Sequence, residues 1–490
     1  MRIDLCGPGY IGMSPMLDPS RRINLFVERG AKESKAPFAL IGSPGTSLQY
    51  SLGSSIARAI YPFNGLLFAV VGSQLYTVSV TGNLTAVPGA VLGTSVGPVI
   101  MKDNGLQVSG TGGNMLAICD QNSLYIYNTS GSFASAGSFT GGGFPVAGAY
   151  ALEYIDGYFI ISAPGSMAVY ACDPFNGINW QPTAVAYIQS APDTVLAIWN
   201  LDEQLYFIKQ YTTEIWYNNS TPTSVGFPFS RMTAAVIDYG TVSQTAVARG
   251  GGVLFMLANR RNGDRGNFIG AVKIQNGTPS IISPPAITLQ MEKWKPWSDV
   301  ISFCYEENGH TFWEVTSPSY NQTFVYDDSI GGDPFLSWHE RSSYIPNSPY
   351  QTNRHIANCY AYFNNMHLVG DYTNGNIYQM SGSIYTDNGN PLVAIRTAQM
   401  LDDKKGMMSS LNLHKLVVDA QTGYGGSIAF DWSDDGGYNW SGEYSRSLGP
   451  VGQYQTRLSW YPLGQHPYGF IPRLKISDPV PRIIMGAYVD

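Results

Sequence analysis

Apolar residues along this chain come in short runs separated by polar turns, and one arrangement of them repeats. An apolar run is followed by a polar turn and then a second run that usually carries an aromatic residue. The unit appears as GLLFAVVGSQLYTVS from Gly65, NMLAICDQNSLYIYN from Asn114, GYFIISAPGSMAVYACD from Gly157 and EQLYFIKQYTTEIWY from Glu203. Looser copies begin at Val253, His310 and Met366. The starts lie 49, 43, 46, 50, 57 and 56 residues apart, near the ~40 to 50 residues of a four-stranded propeller blade.

A single hairpin is too small to be stable alone, but stacked blades bury a continuous core and leave only short edges. The pattern therefore predicts an all-β chain with a β-propeller of six or seven blades. An array of β-sandwiches would also use hairpins, but needs no fixed period. The pairs Asn64-Gly65, Asp156-Gly157, Asn276-Gly277, Asn308-Gly309 and Asn374-Gly375 are expected to supply the positive φ angles of tight turns. Helical periodicity is nearly absent.

The repeats divide the chain into an N-terminal segment (1–55), a propeller (56–394) and a C-terminal β domain (395–490). Neither flanking segment shows a complete core of its own. The two ends are expected to pack together as a β-rich platform beside the propeller.

Composition narrows the function classes. Charged residues are 13% of the chain, against about 25% in an average soluble domain, which suits surfaces buried between subunits. A net charge of −7 argues against tight binding of nucleic acid by phosphate neutralisation. The five cysteines lie at least 53 residues apart, so C-x-x-C metal or redox motifs are excluded and buried free thiols expected. No charged and apolar leader opens the chain and no apolar run reaches membrane-spanning length. Synthesis and assembly in a cytoplasm are expected.

No motif in the sequence carries enzyme chemistry in the context it needs. Gly7, Gly9 and Gly12 have G-x-G-x-x-G spacing with Glu28 downstream, but Pro15 and Pro19 forbid the helix that would face a pyrophosphate. The six histidines, His310, His339, His355, His367, His414 and His466, contain no H-x-x-H pair, and no P-loop or G-x-S-x-G elbow occurs. No catalytic, cofactor-binding or metal-binding residue is assigned. Trp338-His339-Glu340 reads as a strand edge with a salt-bridged surface. Arg260-Arg261 with Asp264-Arg265 reads as a solvated hairpin tip that could instead touch a neighbouring subunit or DNA.

Past Ile395 the repeat stops. A charged stretch, Asp402-Asp403-Lys404-Lys405, precedes the strands LNLHKLVVDA and SIAFDW. Ser433 to Trp440 then matches the S-x-D-x-G-x-x-W pattern of an Asp box. Ser433 and Asp435 are expected to tie the turn backbone, Gly437 to allow an unusual φ, and Trp440 to pin the hairpin on the core. Such boxes occur in sialidase propellers, but no carboxylate or arginine constellation marks a catalytic role for Asp434 or Asp435.

The run Asp18-Pro19-Ser20-Arg21-Arg22-Ile23-Asn24-Leu25-Phe26-Val27-Glu28, followed by Ile41-Gly42-Ser43-Pro44-Gly45, resembles the opening of the packaged-DNA stabilisation proteins of short-tailed phages, also described as tail nozzle or tail hub proteins. The hairpin from Gly65 to Val78, the Asp box, and the closing stretch through Ser447-Leu448-Gly449, Tyr454, Arg457, Trp460, Leu463-Gly464 and Leu474 to Val480 fit the same family. The chain departs from it at Pro462 and around His466-Pro467, where basic residues are expected in relatives. The resemblance implies a homo-oligomer, a hexameric ring below the portal and adaptor, in the virion tail. It further implies a channel for genomic DNA without sequence-specific binding, and a dock for tail fibres, spikes or a needle. The rival reading is a sialidase-like or glycan-binding propeller, which calls for clustered arginines and carboxylates at the propeller centre and a secretion signal.

Overall fold

The computed structural model describes residues 2–14, 18–105, 112–261, 267–347, 352–401 and 410–490. Each repeating hairpin forms the second and third strands of a four-stranded antiparallel sheet, and seven such blades are present among the described residues. Blade 1 runs Ala57–Phe63, Leu66–Val71, Gln74–Val78 and Leu84–Val91. Blades 2, 3 and 4 follow the same order and begin with Ile100–Asp103, Ala151–Ile155 and Val195–Leu201. Blade 5 adds a short fifth strand, Gly240–Thr241, beside Val253–Arg261. Blade 6 spans Ile301–Glu307 to Trp338–Arg341, and blade 7 begins with Ala357–Phe363.

The second strands are largely apolar, most completely in blades 1 and 2, because both of their faces are covered by neighbouring blades. Met115–Cys119 is buried at every position. Each pair of neighbouring blades encloses its own hydrophobic cluster, and one such cluster joins Ala57, Ile60 and Leu67 of blade 1 to Ala361, Leu368 and Ile377 of blade 7. The ring is therefore closed. In four of the five turn pairs both residues have positive φ, as at Asn64 (49°) and Gly65 (76°). Asn374-Gly375 differs: its glycine sits where a Cβ would come within 2.9 Å of the Gly53 carbonyl oxygen, so it serves the close approach of another segment.

That segment closes the ring. Gly45–Ser51 pairs antiparallel with Asn376–Ser381 and completes blade 7. The expected platform segment 1–55 thus contains a strand of the propeller, a non-local pairing that no local pattern announces. Arg341 on blade 6 donates to the Pro44 carbonyl at 2.6 Å, Thr46 donates to Asp387 at 2.8 Å, and Gly45 lies against the carbonyls of Ile384 and Thr386.

The remaining end segments build a β-sandwich. One sheet orders Leu25–Arg29, Phe38–Gly42, Ile483–Val489, Leu416–Ala420 and Leu458–Trp460, with Arg2–Ile3 also on Ile483–Val489. The other orders Arg21–Ile23, Ala394–Thr397, Ile471–Ile476, Ser427–Ser433 and Tyr444–Ser447. Between them lie Leu25, Leu40, Leu416, Phe430, Leu458 and Leu474. The second sheet runs on into blade 6, because Arg21–Ile23 lies parallel to Trp338–Arg341.

Trp338-His339-Glu340 is consequently buried in the middle of a nine-stranded sheet and is not a surface edge. Arg21 makes a bidentate pair with Glu340, both bonds 2.6 Å. Arg22 donates to the carbonyls of Phe335, Leu336 and Trp338. A Cβ on Gly9 would stand 2.1 Å from the Trp338 carbonyl oxygen and 2.5 Å from Arg22 Nε, so the glycine spacing at the N-terminus serves packing against a buried guanidinium. Pro15 and Asp402 to Lys405 lie outside the described residues. The described α-helices are short, Pro285–Glu292 and Pro334–Ser337.

Replacing Gly45 by Ala would place a Cβ 2.3 Å from the Ile384 carbonyl oxygen. We expect a loss of about 1 to 3 kcal/mol in stability, read by urea denaturation, with faster hydrogen exchange in both Gly45–Ser51 and Asn376–Ser381. Unchanged exchange there would contradict the closing role.

Candidate functional site

The first strands of the blades converge on the propeller axis. A cavity of about 600 Å³ lies there, lined by first strands of six blades, including Ala59, Met101, Trp199, Val247, Phe303 and Tyr360. That volume suits a small molecule. It is far too small for duplex DNA, whose major groove alone is about 12 Å wide.

The charged groups at the axis are engaged within the protein. Lys102 pairs with Glu153 at 2.8 Å and lies 4.7 Å from the Trp199 ring centroid. Arg58 donates to the carbonyls of Gly72, Thr94, Val96 and Gly97. Arg354 donates to the carbonyls of His355 and Ala357 and stacks on Tyr372. Arg249 is exposed and bonds the Asn200 side chain at 2.7 Å. The two buried arginines thus hold main chain in place and are not arrayed for a ligand carboxylate.

The Asp box stands on the sandwich. The Ser433 hydroxyl donates to Asp435 at 2.8 Å and accepts from the amides of Asp435 and Gly437. Asp435 accepts from the amides of Tyr438 and Asn439 and from the Asn439 side chain. The Asn439 bonds, then the Ser433 hydroxyl, pull the Asp435 carboxyl down to about 2. Gly437 has φ +90°. Trp440 differs from expectation. It is half-buried, donates its indole N–H to the Gly437 carbonyl, and has the Arg473 guanidinium 3.8 Å from its ring centroid. Arg473 in turn is ion-paired with Asp431. The residues packed on the core are Trp432 and Trp460. Asp434 pairs with His466 Nδ1 at 2.7 Å, which ties the box to the neighbouring strand.

Three other histidines, His310, His355 and His367, are held by partners within the protein. His310 bridges Glu28 of the sandwich at 2.5 Å and Asp327 of blade 6 at 2.6 Å. Burial opposes its charge, but these two carboxylates outweigh that and raise its pKa to about 9. His355 bonds Glu314 at 2.7 Å; burial and nearby Arg341 lower its pKa, and Arg341 also pairs with Glu314. His367 bonds the Tyr360 hydroxyl. Among the described residues no three metal-ligating side chains come together, and no helix is long and apolar enough to cross a membrane. Arg260 and Arg261 lie over Tyr239 and Tyr211, while Asp264 and Arg265 lie outside the described residues. The ligand-like arrangements at the joint and the box were missed in the sequence because their partners are 17 to 282 residues away.

Residues 25–385 match the family model described as Bacteriophage P22 Gp10, beta-propeller, and residues 395–490 match that described as Bacteriophage P22 Gp10, beta-sandwich. No curated protein matches the sequence. Similar solved structures include a computationally designed protein, Ika8 (11% identity, 69% of this chain, 100% of that one, TM-score 0.41). They also include an inactive virginiamycin B lyase from Staphylococcus aureus (10%, 69%, 98%, 0.42) and the Neurospora crassa Pan2 WD40 domain (9%, 66%, 89%, 0.38).

Two measurements follow from the site. A histidine whose folded pKa is raised stabilises the protein fully below its unfolded value of about 6.5, and that contribution disappears as pH rises through about 9. Thermal unfolding should therefore show a stability loss between those values that is partly reduced in Glu28→Gln, where Asp327 still faces the ring; an unaltered pH profile in the variant would refute the bridge. For Asp435, whose pKa is depressed, the stabilisation is present above about 3.9 and fades as pH falls through about 2. Asp435→Ala should lower the melting temperature at pH 7 and leave it nearly unchanged relative to wild type near pH 2.

Proposed function

From the premise that the chain belongs to the Bacteriophage P22 Gp10 family and is thus a phage structural tail protein, we propose that it is a tail nozzle subunit. In this reading, copies assemble as a ring, a hexamer by resemblance, below the portal and adaptor. The ring retains packaged DNA, forms the ejection channel, and docks fibres, spikes or a needle. Its role is mechanical, without catalysis, and the sandwich built from both chain ends is the platform on the adaptor.

One observation carries the reading furthest: the family match extends over propeller and sandwich alike. The axial cavity, about 600 Å³, cannot admit a duplex, which supports a reading in which the channel lies between subunits. A charge-poor, acidic chain (net −7) also suits a passage through which phosphates slide without being bound at each step.

Mass photometry of the chain, alone and mixed with the adaptor and portal rings of its particle, followed by negative-stain imaging, tests this. We expect a sixfold ring with an open centre, free or formed on the adaptor. A chain that stays monomeric in the presence of both rings would overturn the nozzle reading.

A further inference from the structure

Charge is distributed very unevenly. Of the 63 charged residues (28 basic, 35 acidic), only eight fall in the 166 residues from 36 to 201. This stretch holds the closing strand, blades 1 to 3 and the first strand of blade 4. Of the eight, Asp156 alone is exposed, and it is bonded to Asn218 at 2.9 Å. The others are turned inward: Lys102 pairs with Glu153, Asp193 with Lys209, and Arg58 holds main-chain carbonyls.

The outer edges of these blades are consequently neutral. Their fourth strands, Leu84–Val91, Phe133–Ser135 and Asn176–Tyr187, contain no charged residue. Exposed strand edges ordinarily carry charges, lysine above all, to prevent pairing with other chains. Here Val80, Val91, Val96, Val146 and Tyr187 are more than half exposed on a surface without such protection. The fourth strand of blade 4 carries Arg231. The edges of blades 6 and 7 are already covered, by Arg21–Ile23 and by Gly45–Ser51 with its neighbour Thr386–Asp387. The edge of blade 5, Thr278–Ile281, is also uncharged but is only four residues long and stands apart, and blade 3's edge is paired over Ile178 to Trp180 by Thr140 and Gly143; blades 1 to 3 together form the one contiguous flank whose outer strands carry no charge.

We propose that this flank is buried against a second copy of the chain in the assembled ring; the inference rests on the nozzle reading and specifies which surface the ring uses. A neutral surface neither steers nor selects a charged partner, and a buried contact cannot leave a partner's charges unpaired. Its counterpart must be equally charge-poor, and the chain supplies one. From Tyr444 to Thr456 the sandwich surface has a single charged residue, Arg446, which donates to the Ser459 and Ser445 carbonyls. Tyr444, Val451 and Tyr454 there are 51%, 82% and 65% exposed. Two different patches on one chain, one meeting the other on the next copy, are what a closed ring requires.

The test places lysines on the flank, Val91→Lys, Ser135→Lys and Tyr187→Lys together, all at exposed positions. The control places them on the edge of blade 5, Thr278→Lys with Ser280→Lys. Ring assembly is read by mass photometry, and folding by circular dichroism and melting temperature. The flank variant should fold normally yet assemble at least tenfold more weakly, while the control assembles like wild type. Hydrogen exchange of wild-type monomer and ring supplies a readout independent of the substitutions, with protection expected in 84–91, 133–135, 176–187 and 444–456. Rings that form normally from a folded flank variant, without protection of these segments, would overturn the proposal and leave the nozzle reading standing. If such rings instead grip DNA more tightly than wild type, the flank faces the bore and not a neighbour. Wild-type chains that never form rings would remove the nozzle reading itself.

Discussion

The pairing of Gly45–Ser51 with Asn376–Ser381 is the contact on which the rest of the structure depends. Six blades are made from consecutive chain and could stack in any open arc. The seventh has only three strands of its own, Ala357–Phe363, Met366–Asp371 and Asn376–Ser381, and the strand that completes it arrives from more than 300 residues earlier. Once that strand is in place, the chain before it must leave the ring at blade 7 and the chain after Ser381 must leave beside it. Both ends are thereby delivered to one side, where they can share a sandwich that neither could build alone.

The joint between the two domains follows from the same delivery. Where strands from both ends converge on blade 6, main-chain carbonyls accumulate that no ladder satisfies. Buried arginines answer this with their fan of donors: Arg22 to Phe335, Leu336 and Trp338, Arg396 to Pro8, Arg482 to Leu392, Arg341 to Pro44. A guanidinium is suited to the role because it offers five N–H groups in a fixed plane and is less strongly hydrated than an ammonium. Asn24 completes the seam by donating to both Ser342 and Val393.

How much of this could be read from residues alone depends on which strand of a blade is considered. Second and third strands, such as Val253–Arg261 with Asn267–Gln275, are apolar or aromatic and joined locally, so their period was legible. First strands line the cavity and fourth strands face outward, so their patterns are mixed and merge into the connecting turns. The closing strand GTSLQYS carries no signal that it belongs with Asn376–Ser381. The Asp box shows the same limit at the scale of one side chain. The hydrogen bonds of Ser433, Asp435 and Gly437 are local and follow from spacing. The position of Trp440 depends on Arg473, a residue from another strand, and so could not be foreseen.

The continuous sheet has a mechanical consequence. Force applied to the sandwich reaches blade 6 through strand pairing from Tyr444–Ser447 to Ile301–Glu307, reinforced by the Arg21–Glu340 pair and the His310 bridge. Hinges lie in loops or element ends that can absorb backbone rotation, and a ladder with buried, hydrogen-bonded arginines on its flank offers no such place. Bending there would expose the guanidinium partners and leave buried carbonyls without donors, at about 1 to 3 kcal/mol for each group. The propeller and sandwich are therefore expected to move as one body. In an assembly of such subunits, any widening of a central passage has to come from the contacts between copies or from loops at the rim.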